Sequence, residues 1–244
     1  AFPSSASAAS VRDKMVSVMR LCPSAPVGVA YGVLRAARNA GLAIILSVST
    51  AAAEPVVVAA LGDSLTQGYG LAPDDGFVPN LQAWLRGQGA EVSMINAGVS
   101  GDTTAGGLAR IEWTLTPEVD ALIVALGGND LLRGIDPAAS RANLDGILQV
   151  AAARDLPVML VGMEAPANYG PAFKTDFDGM YVDLSEAYGT IFYQNFLKAL
   201  AEQEDRAAAV ATYLQGDRIH PNAAGVDLIV QDMGPSVLDL IESA

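Results

Sequence analysis

The sequence predicts an α/β protein in which a parallel sheet carries helices on both faces. Two patterns predict it. From Glu54 onward, short β-rich apolar runs alternate with longer stretches of helical period. The runs are continuously apolar rather than alternating, as strands covered on both faces should be.

The elements follow in order. Residues 56–61, Val-Val-Val-Ala-Ala-Leu, form the first strand and end in Gly62-Asp63-Ser64-Leu65. A helix is expected over 77–87, then a strand over 92–96 ending in Asn96-Ala97-Gly98-Val99-Ser100-Gly101-Asp102-Thr103. A helix over 103–115 leads to a strand over 121–126, which ends in Gly127-Gly128-Asn129-Asp130. A helix over 140–154, a strand over 158–163, a helix over 173–188 and a strand over 190–193 continue the alternation, and a last helix covers 222–241. No internal repeat and no linker rich in Pro, Gly or Ser interrupts the chain after residue 54, so 54–244 reads as one domain. Ligands of such sheets bind beyond the C-terminal ends of the strands, where the polar and glycine clusters fall.

Residues 1–53 differ. They hold five of the 14 Lys and Arg and only one acid, Asp13, whereas the rest carries nine basic and 26 acidic residues, a net charge of −17. Arg35 and Arg38 precede an apolar stretch over 41–48, too short to span a bilayer, and Ala51-Ala52-Ala53 is the small-residue pattern that a signal peptidase cuts after. The expectation is an N-terminal extension and secretory signal ending at Ala53, with Met15 or Met19 as the start, and a periplasmic or secreted product without stable membrane insertion once the signal is cleaved. A retained helical anchor is the alternative. Cys22 is the only cysteine, so no intrachain disulfide is possible, and cleavage would leave none. The whole-chain charge of −13 argues against nucleic acid as a partner.

The chemistry converges on His220, the only histidine, in Asp217-Arg218-Ile219-His220-Pro221-Asn222. A serine hydroxyl needs a base to become a nucleophile at neutral pH, and His220 is the available base for Ser64. Asp217, three residues earlier, could fix the imidazole tautomer and stabilise the imidazolium. Oxyanion donors could come from the Ser64 and Gly98 backbone N–H groups and the Asn129 amide. Taken singly, Gly98 also reads as a turn glycine, Asn129 as an Asx turn, and His220 as a capping or surface histidine. Asp63 could brace the serine loop and Asp130 could cap the following turn. One histidine and no nearby cysteine disfavour a zinc centre, and a carboxylate-only magnesium site stays as an alternative. Neither nucleotide-binding glycine pattern follows the first strand.

These four blocks, Gly62-Asp63-Ser64-Leu65, Gly98, Gly127-Gly128-Asn129-Asp130 and Asp217-Arg218-Ile219-His220-Pro221, resemble the SGNH (GDSL) hydrolases over roughly residues 56–241. The stretches 127–134 and 165–170 resemble the bacterial periplasmic branch of multifunctional thioesterases, lysophospholipases and arylesterases. The resemblance implies a flavodoxin-like three-layer α/β/α sandwich with a central parallel sheet. It implies a Ser64–His220–Asp217 triad, an oxyanion hole from Ser64, Gly98 and Asn129, and neither metal nor cofactor. It also implies that the 164–171 loop borders the acyl pocket, with Pro166 and Tyr169 as substrate-binding residues and Glu164 as an acid at the rim. The expected activity is hydrolysis of small acyl esters and thioesters. A carbohydrate acetylesterase, with Tyr69, Trp84, Trp113 or Tyr169 as sugar platforms, is one alternative. A non-catalytic flavodoxin-like binding protein is the other.

Overall fold

In a computed structural model, the described residues are 54–244; the expected signal segment, 1–53, lies outside them. Strand β1 (Val56–Gly62) pairs in parallel with β2 (Val92–Gly98) on one side and β3 (Ala121–Ala125) on the other. Strands β4 (Val158–Val161) and β5 (Ile191–Tyr193) extend the sheet to the order β2-β1-β3-β4-β5, all parallel. The chain leaves β1 towards β2 and then crosses to β3, so the connections diverge on the two sides of β1. That is the switch point where a crevice opens in such sheets.

Successive side chains of a strand point to opposite faces, so β1 supplies two cores. Val58 and Ala60 pack with Leu81 and Leu85 of α2 (Phe77–Gly87) and with Ile229, Met233 and Val237 of α9 (Ala223–Glu242). Ala59 and Leu61 pack with Ile111 of α3 (Thr104–Thr114), Leu144 and Ile147 of α5 (Pro137–Ala152), and Phe177 of α6 (Pro171–Tyr188). All four β1 side chains are fully buried, which explains the unbroken apolar run.

The expected sheet and the five long helices are present, with shifted ends. α5 begins three residues early because Pro137 occupies its first turn and the Asp136 carboxylate accepts the Ala138 N–H at 2.9 Å. β4 stops at Val161, and the Gly162 N–H turns to the Tyr193 carbonyl. Four short helices were not anticipated: α1 (Ser64–Gln67), α4 (Gly128–Leu132), α7 (Lys198–Ala201) and α8 (Arg206–Tyr213). Among the described residues, no helix is long and apolar enough to cross a membrane.

Candidate active site

Three segments meet beyond the C-terminal ends of β1 and β3. The first is the turn from β1 into α1. Asp63 caps this helix, its Oδ1 accepting the Leu65 N–H at 3.0 Å, and Ser64 becomes the first helical residue. A first-turn N–H has no carbonyl four residues back to bond, so that of Ser64 has no partner within its own helix. Gly98, opposite Gly62 in the sheet register, lies under this helix. A β-carbon on Gly98 would sit 2.3 Å from the Gln67 backbone nitrogen and 2.9 Å from the Asp63 carbonyl oxygen. The glycine is therefore required by packing of α1, a stronger reason than close approach of a ligand. Arg110 of α3 ties both strand ends down: it donates to the Gly62 carbonyl at 2.9 Å and the Ala97 carbonyl at 2.7 Å while pairing with Asp102 at 2.7 Å.

The second segment is the loop before α9. An antiparallel bridge between Leu214 and Pro221 closes it, and the Gln215 side chain donates to the Tyr69 and Pro221 carbonyls, both at 2.8 Å. Arg218 turns the chain in the left-handed region, at φ 60°. The loop folds around the Asp217 carboxylate. Its Oδ1 accepts the Ile219 and His220 N–H groups at 2.9 and 3.1 Å, and its Oδ2 lies 2.6 Å from His220 Nδ1. The hydrogen bond from His220, with the two backbone N–H groups, holds the Asp217 carboxyl down at about 2. His220 Nε2 lies 2.9 Å from Ser64 Oγ across 156 residues of sequence, and the Tyr69 ring tilts against the imidazole with centroids 4.7 Å apart. A carboxylate on Nδ1 leaves Nε2 free to take the hydroxyl proton.

The third segment is the turn from β3 into α4. Gly127 adopts φ 119°, which a side chain would resist, and this sharp turn presents Asn129. The Asn129 amide donates to Asp63 Oδ2 at 3.2 Å. Asp130 does not merely cap a turn. It is fully buried and accepts from the Thr104 N–H (2.9 Å), the Thr104 hydroxyl (2.6 Å) and the Ser140 hydroxyl (3.0 Å), joining α4 to α3 and α5. The Gly98 N–H is engaged, donating to Asn96 Oδ1 at 3.0 Å.

A cavity of ≈ 300 Å³ opens over Ser64, Asn129 and His220, and its walls are largely apolar: Leu65, Tyr69, Leu131, Leu132, Met163 and Leu197. Tyr169 and Pro166 do not line it, contrary to expectation. Tyr169 stacks on Phe173 with centroids 4.9 Å apart and donates to the Leu131 carbonyl at 2.8 Å, so it supports the wall from behind. Glu164 is not a bare acid at the rim, because Lys174 pairs with it and with Asp178, each at 2.8 Å. Trp113 is 85% exposed on α3, and Trp84 packs against α9, so neither is a platform at the site. Arg110, Leu197 and Met163 went unnoticed in the sequence. Arg110 carried a weak signal as a lone cation on α3 eight residues after Asp102; the two apolar residues carried none. Among the described residues, no group of three or more potential metal ligands occurs.

Residues 60–228 match the GDSL-like Lipase/Acylhydrolase family. Esterase TesA of Pseudomonas aeruginosa is 36% identical over 201 residues, covering 82% of this chain and 96% of that protein. Thioesterase 1/protease 1/lysophospholipase L1 of Escherichia coli K12 is 30% identical over 200 residues, covering 81% and 90%. The crystal structure of AlinE4, an SGNH-hydrolase family esterase, superposes with a TM-score of 0.62 at 43% identity, covering 76% of this chain and 96% of that one.

Proposed function

Because the chain belongs to the GDSL-like Lipase/Acylhydrolase family and is a carboxylic ester hydrolase, we propose that Ser64 is its nucleophile, His220 its base and Asp217 the orienting carboxylate. The observation that carries this reading is the unbroken Asp217–His220–Ser64 hydrogen-bond chain, at 2.6 and 2.9 Å, whose Ser64 and His220 line a largely apolar cavity.

Ser64 Oγ attacks the acyl carbonyl carbon as its proton passes to Nε2. The tetrahedral oxyanion takes hydrogen bonds from the Ser64 N–H and the Asn129 amide, and from the Gly98 N–H once Asn96 yields it. Collapse breaks the ester or thioester bond, and the alcohol or thiol leaves with the proton from Nε2. Water, deprotonated by the same nitrogen, then attacks the acyl-enzyme and frees the acid and Ser64. Asp217 stays ionised throughout and steadies the imidazolium.

The substrates are small acyl esters and thioesters whose acyl chains lie against Leu131, Leu132, Met163 and Leu197. The largely apolar walls disfavour a sugar substrate: of the four aromatic residues considered as sugar platforms only Tyr69 lines the cavity, and its ring tilts against His220. The enzyme is periplasmic or secreted, cleaved after Ala53; the support is Arg35 and Arg38, the apolar 41–48 stretch and Ala51-Ala52-Ala53. Mass spectrometry of the exported protein, with Glu54 at its N-terminus, checks that.

The central test is intact-mass labelling with a serine-directed phosphonate, run beside hydrolysis of p-nitrophenyl esters. One adduct on the wild type and none on Ser64→Ala is expected, with hydrolysis lost in the variant. Equal labelling of both would remove Ser64 from the role.

A further inference from the structure

We infer that Asp63 is a positioning residue: its buried carboxylate sets which way round the Asn129 amide stands, and so keeps a donor rather than an acceptor facing the oxyanion. This rests on the serine-esterase reading above.

Asp63 is 4% exposed, and both carboxylate oxygens are committed. Oδ1 accepts the Leu65 N–H at 3.0 Å and Oδ2 accepts from Asn129 Nδ2 at 3.2 Å. An ionised carboxylate only accepts, so the amide must turn its NH₂ towards it. One Nδ2 hydrogen is used there. The other has no protein acceptor among the hydrogen bonds of the described residues, and Asn129 forms part of the cavity lining. Rotating the amide by half a turn would put Oδ1 where the donor stands. A carbonyl lone pair would then face the developing negative charge.

The environment of Asp63 separates this role from a stabilising one. Burial pushes its carboxyl up to about 6, against the lowering pull of the Leu65 N–H, Asn129 and His220, with Asp102 adding a smaller upward push. Tyr181 also faces it from α6, and Asp102 is paired with Arg110. A carboxylate whose folded value lies above its ordinary 3.8 stabilises the fold only while protonated. That contribution is lost as pH rises through 6, and above it the ionised group is a liability to the fold. A liability placed against an oxyanion donor fits a functional role.

Asp63→Asn tests this. The Leu65 N–H still requires an oxygen, so the new side chain must turn its NH₂ towards Asn129. Asn129 then has to flip, donor for acceptor. We expect kcat on a p-nitrophenyl ester to fall on the order of 10²-fold or more with KM little changed, since only the transition state carries the charge. The melting temperature at pH 8 should be unchanged or higher. In an Asn129→Ala background the same substitution should have no further effect on kcat, because the residue acts through that amide. Wild-type kcat in Asp63→Asn, or an undiminished loss in the Asn129→Ala background, overturns the inference. Wild type inactive on every ester, or an active Ser64→Ala, would instead overturn the serine-esterase reading.

Discussion

Asp130→Ala is the sharpest test of how the site is supported. The buried carboxylate takes three donors: the Thr104 N–H, the Thr104 hydroxyl and the Ser140 hydroxyl. Truncation leaves all three facing a void. The two hydroxyls recover in part. Ser140 can turn to the Asp136 carbonyl one helical turn back, and Thr104 Oγ1 still accepts from Asn143 at 3.0 Å. The Thr104 N–H cannot move. A buried donor left unmet costs about 1–3 kcal/mol, so one full and two partial losses come to about 3 kcal/mol. For a domain of this size each kcal/mol lowers the melting temperature by about 2–4 °C, which gives a fall of about 6–12 °C. Asp130→Asn should be much milder, at about 1 kcal/mol. Its oxygen can serve the Thr104 N–H while the hydroxyls rotate to accept from its NH₂. Thermal melts of the three proteins at one pH decide the matter. An alanine variant melting with the wild type, or an asparagine variant less stable than the alanine one, would refute the account of Asp130 as a hub.

Four further outcomes are expected. Gly98→Ala should destabilise by about 2–3 kcal/mol in denaturant titration, because its β-carbon meets the backbone of α1 rather than a flexible side chain. Asp217→Asn should lower kcat but less than Ser64→Ala does; an undiminished rate would mean that another group orients the imidazole. The Asp217 carboxyl is held below its ordinary 3.8, so it adds stability above that pH and loses it as pH falls towards 2. Any stability gap between wild type and Asp217→Asn should therefore close over that window in acid titration. His220→Ala should abolish hydrolysis about as fully as Ser64→Ala does, and an active variant would exclude His220 as the base.

Much of this was legible in the residues because period and chemistry agreed. The central strands β1, β3 and β4 are largely buried on both faces, so their apolar runs needed no partner to be seen, whereas the edge strands β2 and β5 are only partly covered. Ser64, Asn129 and His220 stand out because each follows or precedes such an element. What stayed hidden depends on contacts between distant segments. Asp130 reads as a turn cap, and Arg110 as an ordinary surface charge, until α3 and α5 are laid against the sheet. The 164–171 loop shows the limit in the other direction. Its aromatic and proline residues suggested a pocket wall, but Tyr169 is drawn back by the Leu131 carbonyl, and the apolar walls come from Leu132, Met163 and Leu197, which are unremarkable as letters. α8 was overlooked although Asp205 caps it at Ala208, at 3.0 Å, because its alanines show too little contrast to reveal a face.

The division of β1 between two cores bears on the order in which the molecule is made. The face carrying Val58, Ala60, Leu81 and Leu85 is closed by Ile229, Val230, Met233, Val237 and Leu240, all in the last helix. A growing chain therefore holds its first strand half-covered until this helix has been made, and the segment just before it brings His220 to Ser64. Until then the nascent protein exposes an apolar face and has no base for its serine, so protection from aggregation and the onset of activity arrive together.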